Sequence, residues 1–219
     1  MKKTVTIKTK GIIKKIESSD FLIRCAKKKI TKKEIMNWML QDYLISQNFV
    51  RMISRIIVRC EHMPLFATLT ENLFEELGEG NLSKAHYYLK YELLKSCGVS
   101  DFDVQKNKPS IATEYHLHEG FRVCTDLSLA TAIGFLWGNE ELVPYEYERL
   151  KTGTLCHFPN ANTAFFEVNI DSDEQHAENI ITHARYLLTN NQALNDFKNG
   201  VEVSVNCRLK FYEGLVERQ

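Results

Sequence analysis

Apolar residues recur at helical spacing along most of the chain. The clearest run steps by three or four residues, which puts its members on one face of a helix. It comprises Ile35, Trp38, Met39, Ile45, Phe49, Ile53 and Ile56. Just before it, Thr31 and Glu34 have the spacing of a capping box, which marks a helix start. A long first helix is therefore predicted from Thr31 to about Cys60.

Proline and glycine divide the next part of the chain. Pro64 suits the first turn of a second helix, and Gly78 with Gly80 should end it. Ser83 is a typical N-cap for the following helix, and Gly98 is typical of a C-terminal cap. Two helices joined by a glycine-containing turn are the prediction for this region.

The segment from Pro109 to Gly120 is less regular, and a short helix followed by a loop is predicted there. The stretch 127–150 has a helical composition, with Pro144 expected to kink it or to mark a boundary and Gly153 expected to end it. Proline removes a backbone donor from the helix interior, which is the reason for that expectation.

Two more helical patterns cover residues 171–188 and 192–216, separated by Asn190 and Asn191. Residues 201–205 alternate like a strand, but this run is short and has no evident partner, so we interpret it as helix. The chain is predicted to be all-α.

The length of 219 residues fits one domain, 1–219, with a sizeable core. Lysine and arginine balance aspartate and glutamate at 28 each, so binding to nucleic acid or to a membrane is not expected, and a small-molecule partner is favoured. The basic segment 1–15 is expected to be a frayed terminus. Six widely spaced cysteines and the lack of a long apolar run predict a cytoplasmic protein with reduced thiols.

Some polar residues fall on apolar helix faces, where burying a charge needs a compensating role. Asp42 lies on the seam of the first helix, as a candidate for catalysis or for a bond to a neighbouring helix. Glu76 and His86 flank the glycine break, where a bend can bring both side chains into one cavity. Glu140, rather than Glu141, shares a face with the apolar residues before it. A surface position remains an alternative for His86 and Glu140.

The densest cluster is Asn169, Asp173 and His176. If the helix is continuous, offsets of four and three place all three side chains on one face, as in bundle proteins that bind metal pairs. Alternatively, Asp171 and Glu174 form a capping box, so that the helix begins after Asn169.

Together these residues resemble the heme-oxygenase-like di-iron oxidases and oxygenases, and especially the branch of the chlamydial protein associating with death domains. The resemblance covers most of the chain. It includes Phe21 with the stretch from 30–34 through 41–43, the segment 72–76 with His86, and Glu140 with Pro144. It implies a thiaminase-like (TenA/PqqC-like) helical bundle of about seven helices.

The resemblance also implies six ligands for two iron ions, with dioxygen as co-substrate. The implied set is Glu76, His86, Glu140, Asn169, Asp173 and His176. Asn169 stands where the family has a histidine. An amide oxygen is a poorer donor than imidazole, so one iron should bind more weakly. Asp42 would orient a substrate or relay protons.

The implied function is a non-heme iron oxidoreductase that needs a small-molecule substrate and an electron donor; a homodimer is compatible with it. The alternative is a metal-impaired family member that binds a ligand or a protein partner. In the branch linked to para-aminobenzoate formation, a tyrosine and a lysine correspond to Leu22 and Leu150 here, so that chemistry is not expected of this chain.

Overall fold

The computed structural model describes residues 9–216, without the side chains of Thr9 and residues 171–174, and within this range it contains helices and no strand. A short 3-10 turn, Leu82–Lys84, accompanies ten α-helices. These are α1 Thr9–Glu17, α2 Asp20–Ala26, α3 Lys32–Ile57, α4 Met63–Glu76, α5 His86–Ser96, α6 Asp101–Lys106, α7 Ile111–Asp126, α8 Leu129–Leu155, α9 Ala164–Ala184 and α10 Asn191–Leu215. The all-α prediction is confirmed.

Several helix boundaries follow from local sequence, as expected. The Thr31 side chain accepts a hydrogen bond from Glu34 N, and the Glu34 carboxylate accepts one from Thr31 N. This capping box starts α3. Pro64 occupies the first turn of α4. Gly78 has a φ of +81°, and a Cβ there would lie 2.3 Å from the Asn81 carbonyl oxygen, so only glycine fits the turn after α4.

Other boundaries differ from the prediction. Ser83 does not cap a helix, because the Asn81 side chain caps the 3-10 turn first and α5 starts three residues later, at His86. The short helix and loop predicted for 109–120 are also wrong, since the Ser110 side chain caps a helix of 16 residues, α7.

The end of α8 was also predicted wrongly. Pro144 is neither a boundary nor an end, because α8 runs on for eleven residues to Leu155. Gly153 lies inside α8, where a Cβ would come within 2.9 Å of Cys25 Sγ, so this glycine serves the close packing of α2.

Helices α1 and α2 precede the predicted first helix. Together with α6 they raise the number of helices above the seven that were expected. The segment 1–15, predicted to fray, overlaps α1 from Thr9 onward, because Ile16 is buried in the core and Ile12 and Ile13 pack against it. Residues 1–8 lie outside the described residues.

Helix α8 is the centre of the molecule. It packs most extensively against α10 and α9 and also contacts α1, α2, α3 and α7. Its residues 130–140 are all buried. Six other helices therefore contact α8, and the polar residues within 130–140 face other helices rather than water. All six cysteines are free thiols. None of the described helices is long and apolar enough to cross a membrane.

Candidate metal centre

A narrow cavity of about 50 Å³ lies beside α8, between it and five other helices, α3, α4, α5, α9 and α10, with α7 contributing one histidine. The size matches a few water-sized groups. Its lining is unusually polar for a protein interior. The polar side chains on it are Asp42, Ser46, Glu76, His86, His116, Asn139, Glu140, Tyr147, Asn169, Arg208 and Tyr212.

The glycine turn after α4 brings Glu76 and His86 together, as the sequence predicted. Glu76 is the last residue of α4 and His86 the first of α5, and His86 Nδ1 lies 3.1 Å from Glu76 Oε2. Both side chains are buried and line the cavity. They form one carboxylate and imidazole pair at the junction of two helices.

Glu140 and His176 form a second pair. Glu140 is 2% exposed, whereas Glu141 is half-buried, so the predicted inward residue is the right one. Glu140 Oε1 accepts a hydrogen bond of 3.0 Å from Asn72 Nδ2, and its Oε2 lies 3.6 Å from His176 Nδ1. The other ring nitrogen, Nε2, is 2.5 Å from Glu75 Oε2. Asn72 and Glu75 were not singled out from the sequence, although both are close to Glu76.

Helix α9 is continuous from Ala164, so Asn169 lies within it and the alternative start after Asn169 is wrong. Asn169 is buried on the cavity, and its Nδ2 donates to the Phe165 carbonyl oxygen at 2.7 Å. The Oδ1 atom is the donor that Asn169 can offer a metal. Asp173 is four residues further along the helix, but its side chain lies outside the described residues.

Among the described side chains, no three His, Cys, Asp or Glu groups lie close enough together to hold a metal ion. The donors instead form the two carboxylate and imidazole pairs above, each buried. Oxygen and imidazole donors suit iron, and bundle proteins supply them from facing helices in this way. The donor chemistry therefore fits iron, and the six ligand assignments stay predictions.

Asp42 is bound to a lysine that the sequence reasoning missed. Its Oδ2 lies 2.8 Å from Lys90 Nζ, and Lys90 is completely buried. The ammonium sits 3.5 Å from the centre of the Trp38 ring and 4.2 Å from that of Phe165. Burial lowers the pKa of Lys90 to about 8, although Asp42 opposes this. Lys90 is one helical turn after His86, and that spacing was the signal for it.

A second buried ion pair borders the cavity on the α8 and α10 side. The Arg208 guanidinium donates from Nε to Asn139 Oδ1 at 3.1 Å, from Nη2 to Asn139 O at 3.2 Å, and from Nη1 to Glu146 Oε2. Burial raises the pKa of Glu146 to about 7, against the effect of Arg208. This pair joins residues more than sixty positions apart, so no local pattern could have indicated it.

The fold has well-matched solved structures. A domain of unknown function with a heme oxygenase-like fold from Shewanella denitrificans covers 97% of this chain and 93% of its own, with a TM-score of 0.79 and 15% identity. A CADD-like protein of unknown function from Nostoc punctiforme covers 94% of both chains, with a TM-score of 0.77 and 17% identity. A TenA homologue from Pyrococcus furiosus covers 95% and 96%, with a TM-score of 0.73 and 14% identity. The heme-oxygenase-like fold is thereby confirmed.

Two curated proteins are similar in sequence. The 4-aminobenzoate synthase of Chlamydia muridarum (strain MoPn / Nigg) is 27% identical over 161 residues, which is 72% of this chain and 66% of that protein. The 4-aminobenzoate synthase of Chlamydia trachomatis serovar D is 26% identical over 161 residues, 72% and 68%. The match thus spans about two thirds of the length of each relative. A profile of the family described as iron-containing redox enzymes matches residues 36–208. That range is most of the chain and holds every candidate metal ligand, and the protein belongs to the iron-containing redox enzyme family.

Proposed function

We propose that the protein is a non-heme iron oxidase or oxygenase of the di-iron type, which uses dioxygen and an external electron donor to oxidise a small molecule. One observation carries the proposal. Glu76, His86, Glu140 and Asn169 come from four different helices and line one buried cavity, with His176 3.6 Å from Glu140. Two of these side chains are carboxylates, and burying two negative charges on one cavity costs folding free energy that a bound cation would offset.

Iron held by these side chains would supply the activation of dioxygen. The proposed donors are the two pairs, Glu76 with His86 and Glu140 with His176, together with Asn169 and Asp173. Asn72 holds Glu140 in place through its amide, and Glu75 holds the outer nitrogen of His176. Both bonds fix the orientation of a ligand, and the carboxylate of Glu75 also raises the basicity of the His176 ring.

Asp42 is proposed to position the substrate or to transfer protons within the cavity. The Lys90 ammonium forms an ion pair with the Asp42 carboxylate and holds it in position. Because the pKa of Lys90 is about 8, the two residues together hold a proton that can be exchanged near neutral pH. The aromatic rings of Phe165 and Phe211 also line the cavity, beside its polar side chains.

The chlamydial relatives are named 4-aminobenzoate synthases. The tyrosine and lysine that the resemblance assigns to that branch are replaced by Leu22 and Leu150, which are both 0% exposed and packed in the apolar core. A leucine offers neither a phenol nor an amine. We therefore propose that this chain oxidises a substrate that enters the cavity, and not one of its own side chains at these positions.

Metal analysis of protein produced with added iron tests the proposal. We expect about one iron per chain or more, and the loss of most of it in His86→Ala and in His176→Ala. His118→Ala is the matched control, because His118 is 75% exposed on α7 and away from the cavity lining. It should keep the iron content of the unchanged protein.

The second candidate is a family member that binds a ligand or a partner without a working metal site. Asn169 favours it, since a neutral amide replaces an imidazole and its nitrogen is already bonded to Phe165 O. Less than about 0.3 iron per chain, both in the unchanged protein and in Asn169→His, would support this candidate and refute the oxidase. Equal iron in His118→Ala, His86→Ala and His176→Ala would refute the ligand assignment.

A further inference from the structure

Arg208 is a cation on the wall of the cavity. It comes from α10, and its guanidinium is fixed in position by Asn139 and Glu146 of α8. The nearby lining also includes the apolar side chains Phe49, Val143 and Phe211. A small molecule in this cavity would therefore meet one permanent positive group and several apolar ones, and the carboxylates of Asp42, Glu76 and Glu140 lie on the same lining.

The guanidinium has capacity left for a ligand. It carries five N–H donors, and three of them are used in its bonds to Asn139 and Glu146. Among the described residues Arg208 makes no further hydrogen bond, although the phenols of Tyr147 and Tyr212 lie close enough to act on its charge. Two parallel N–H groups are the arrangement that binds a carboxylate most strongly.

A purely structural role for the ion pair does not explain its position. Helices α8 and α10 already make the most extensive contact of any two described helices, through closely packed glycines. Burying an ion pair is a weak source of stability, because the cost of removing two charges from water offsets their attraction. The pair is also placed where the helices separate and the cavity begins.

Arg208 is the cationic side chain that an anion in the cavity would meet, since of the lining carboxylates Asp42 is paired with Lys90 and Glu76 and Glu140 lie beside His86 and His176. Lys90 is bound to Asp42 and is not part of the lining, and burial lowers the pKa of His116 to about 4, so His116 is neutral. Glu146 competes for Arg208, but burial raises its pKa to about 7, so it is partly protonated at neutral pH. A protonated Glu146 leaves the positive charge of Arg208 uncompensated.

We propose that Arg208 binds the carboxylate of a small organic acid, so that the substrate of this cavity is an anion whose apolar part extends toward Glu140. As a statement about the substrate it rests on the proposed oxidase function. The binding of the acid by Arg208 does not need a metal. Arg208 and its partner Asn139 line the same cavity as Glu140, so the anion and the candidate ligands would share that cavity.

Butanoate and its neutral counterpart butanamide are suitable probes. Their dissociation constants are measured by ligand-detected NMR titration on the unchanged protein, Arg208→Gln and Arg208→Lys, with the iron content of each sample determined in parallel. We expect Arg208→Gln to weaken butanoate roughly tenfold or more and to change butanamide by less than about threefold. Arg208→Lys should lie between, because an ammonium keeps the charge but loses the planar fork.

Glu146→Gln keeps the test valid if Arg208→Gln does not fold. This variant leaves Arg208 in place and removes its competitor, so butanoate should bind roughly threefold tighter or more at pH 7.5. Equal butanoate affinity in Arg208→Gln and the unchanged protein would overturn the proposal, and so would no gain in Glu146→Gln. If iron is absent but the Arg208 effect is present, the oxidase function fails and the anion site stands.

Discussion

The interface between α8 and α10 has two halves of opposite character. In the first half the backbones nearly touch, since a Cβ on Gly134 would lie 2.0 Å from Phe197 O and a Cβ on Gly200 would lie 2.0 Å from Thr131 O. In the second half the helices are joined by Arg208, Asn139 and Glu146 and border the cavity. In the first, closed half, glycines let the two helices pack in direct backbone contact. In the second, open half, long polar side chains bridge the helices beside the cavity.

This difference separates stability from function along one pair of helices. The closed half has no room for water or ligand, so its contribution is packing, which interiors supply at crystal-like density. The open half keeps charges in a buried place, which costs folding free energy and needs a function to explain it. The closed half anchors α8, and α8 carries Glu140 and Asn139 into the cavity.

The largest effect is expected from breaking the closed half. Gly134→Ala places a methyl group against the backbone of α10, which cannot move without separating the helices. We expect a loss of about 3 kcal/mol or more in the free energy of unfolding, measured by urea denaturation.

Gly11→Ala is the control for helical glycine. It lies in α1, and no atom is within 4 Å of a Cβ there, so the change should be neutral or stabilising by up to about 1 kcal/mol. An equal loss of stability in Gly11→Ala and Gly134→Ala would show that helix packing is not the cause.

Local features and contacts between distant helices differ in how well the sequence predicts them. Local signals were sufficient for the start of α3 at Thr31 and for the Glu76 and His86 pair at the glycine turn, because both depend on residues within about ten positions. Gly153 was predicted to end a helix. It lies inside α8 instead, where the absence of a side chain makes room for Cys25 of a distant helix. No periodicity reports such a contact.

The same limit applies to the site. The inward orientation of Glu140 could be predicted from its apolar neighbours. Arg208 and Glu146 were not identified, because their role depends on a contact between α10 and α8. Lys90 could have been found, one turn after His86 on α5. A lysine on a helix is ordinarily solvated, and only the fold shows that this one is enclosed by aromatic rings.

The second prediction concerns the open half and pH. Glu146 has its pKa raised by burial from 4.5 to about 7. The folded state therefore binds the proton more tightly than the unfolded state, and the stability from this group is complete below pH 4.5 and is lost as the pH rises to 7. The loss is up to about 3 kcal/mol.

Glu146→Gln removes this titration. The other titrating groups are the same in both proteins, so their effect cancels when the two free energies of unfolding are subtracted. The stability of the unchanged protein minus that of Glu146→Gln, from urea denaturation at several pH values, should decrease between pH 4.5 and 7 and stay constant above it. A difference that is flat, or that increases over this range, would contradict the raised pKa and the competition for Arg208.

The smallest effect is expected at the other buried pair, Lys90 with Asp42. Buried pairs commonly lose about 3–5 kcal/mol when one partner is removed, because a charge remains unpaired. Here the pKa of Lys90 is about 8, so at pH 7 its ammonium can release a proton for only about 1.4 kcal/mol. Asp42→Asn should therefore cost no more than about 2 kcal/mol.

The double variant Asp42→Asn with Lys90→Met separates charge from packing. Methionine is apolar and close to lysine in length, and it should pack well between the Trp38 and Phe165 rings. We expect the double variant to be at least as stable as Asp42→Asn alone in urea denaturation at pH 7, because no unpaired charge remains. A double variant less stable than Asp42→Asn alone would mean that the lysine stem, and not its charge, holds the aromatic cluster together.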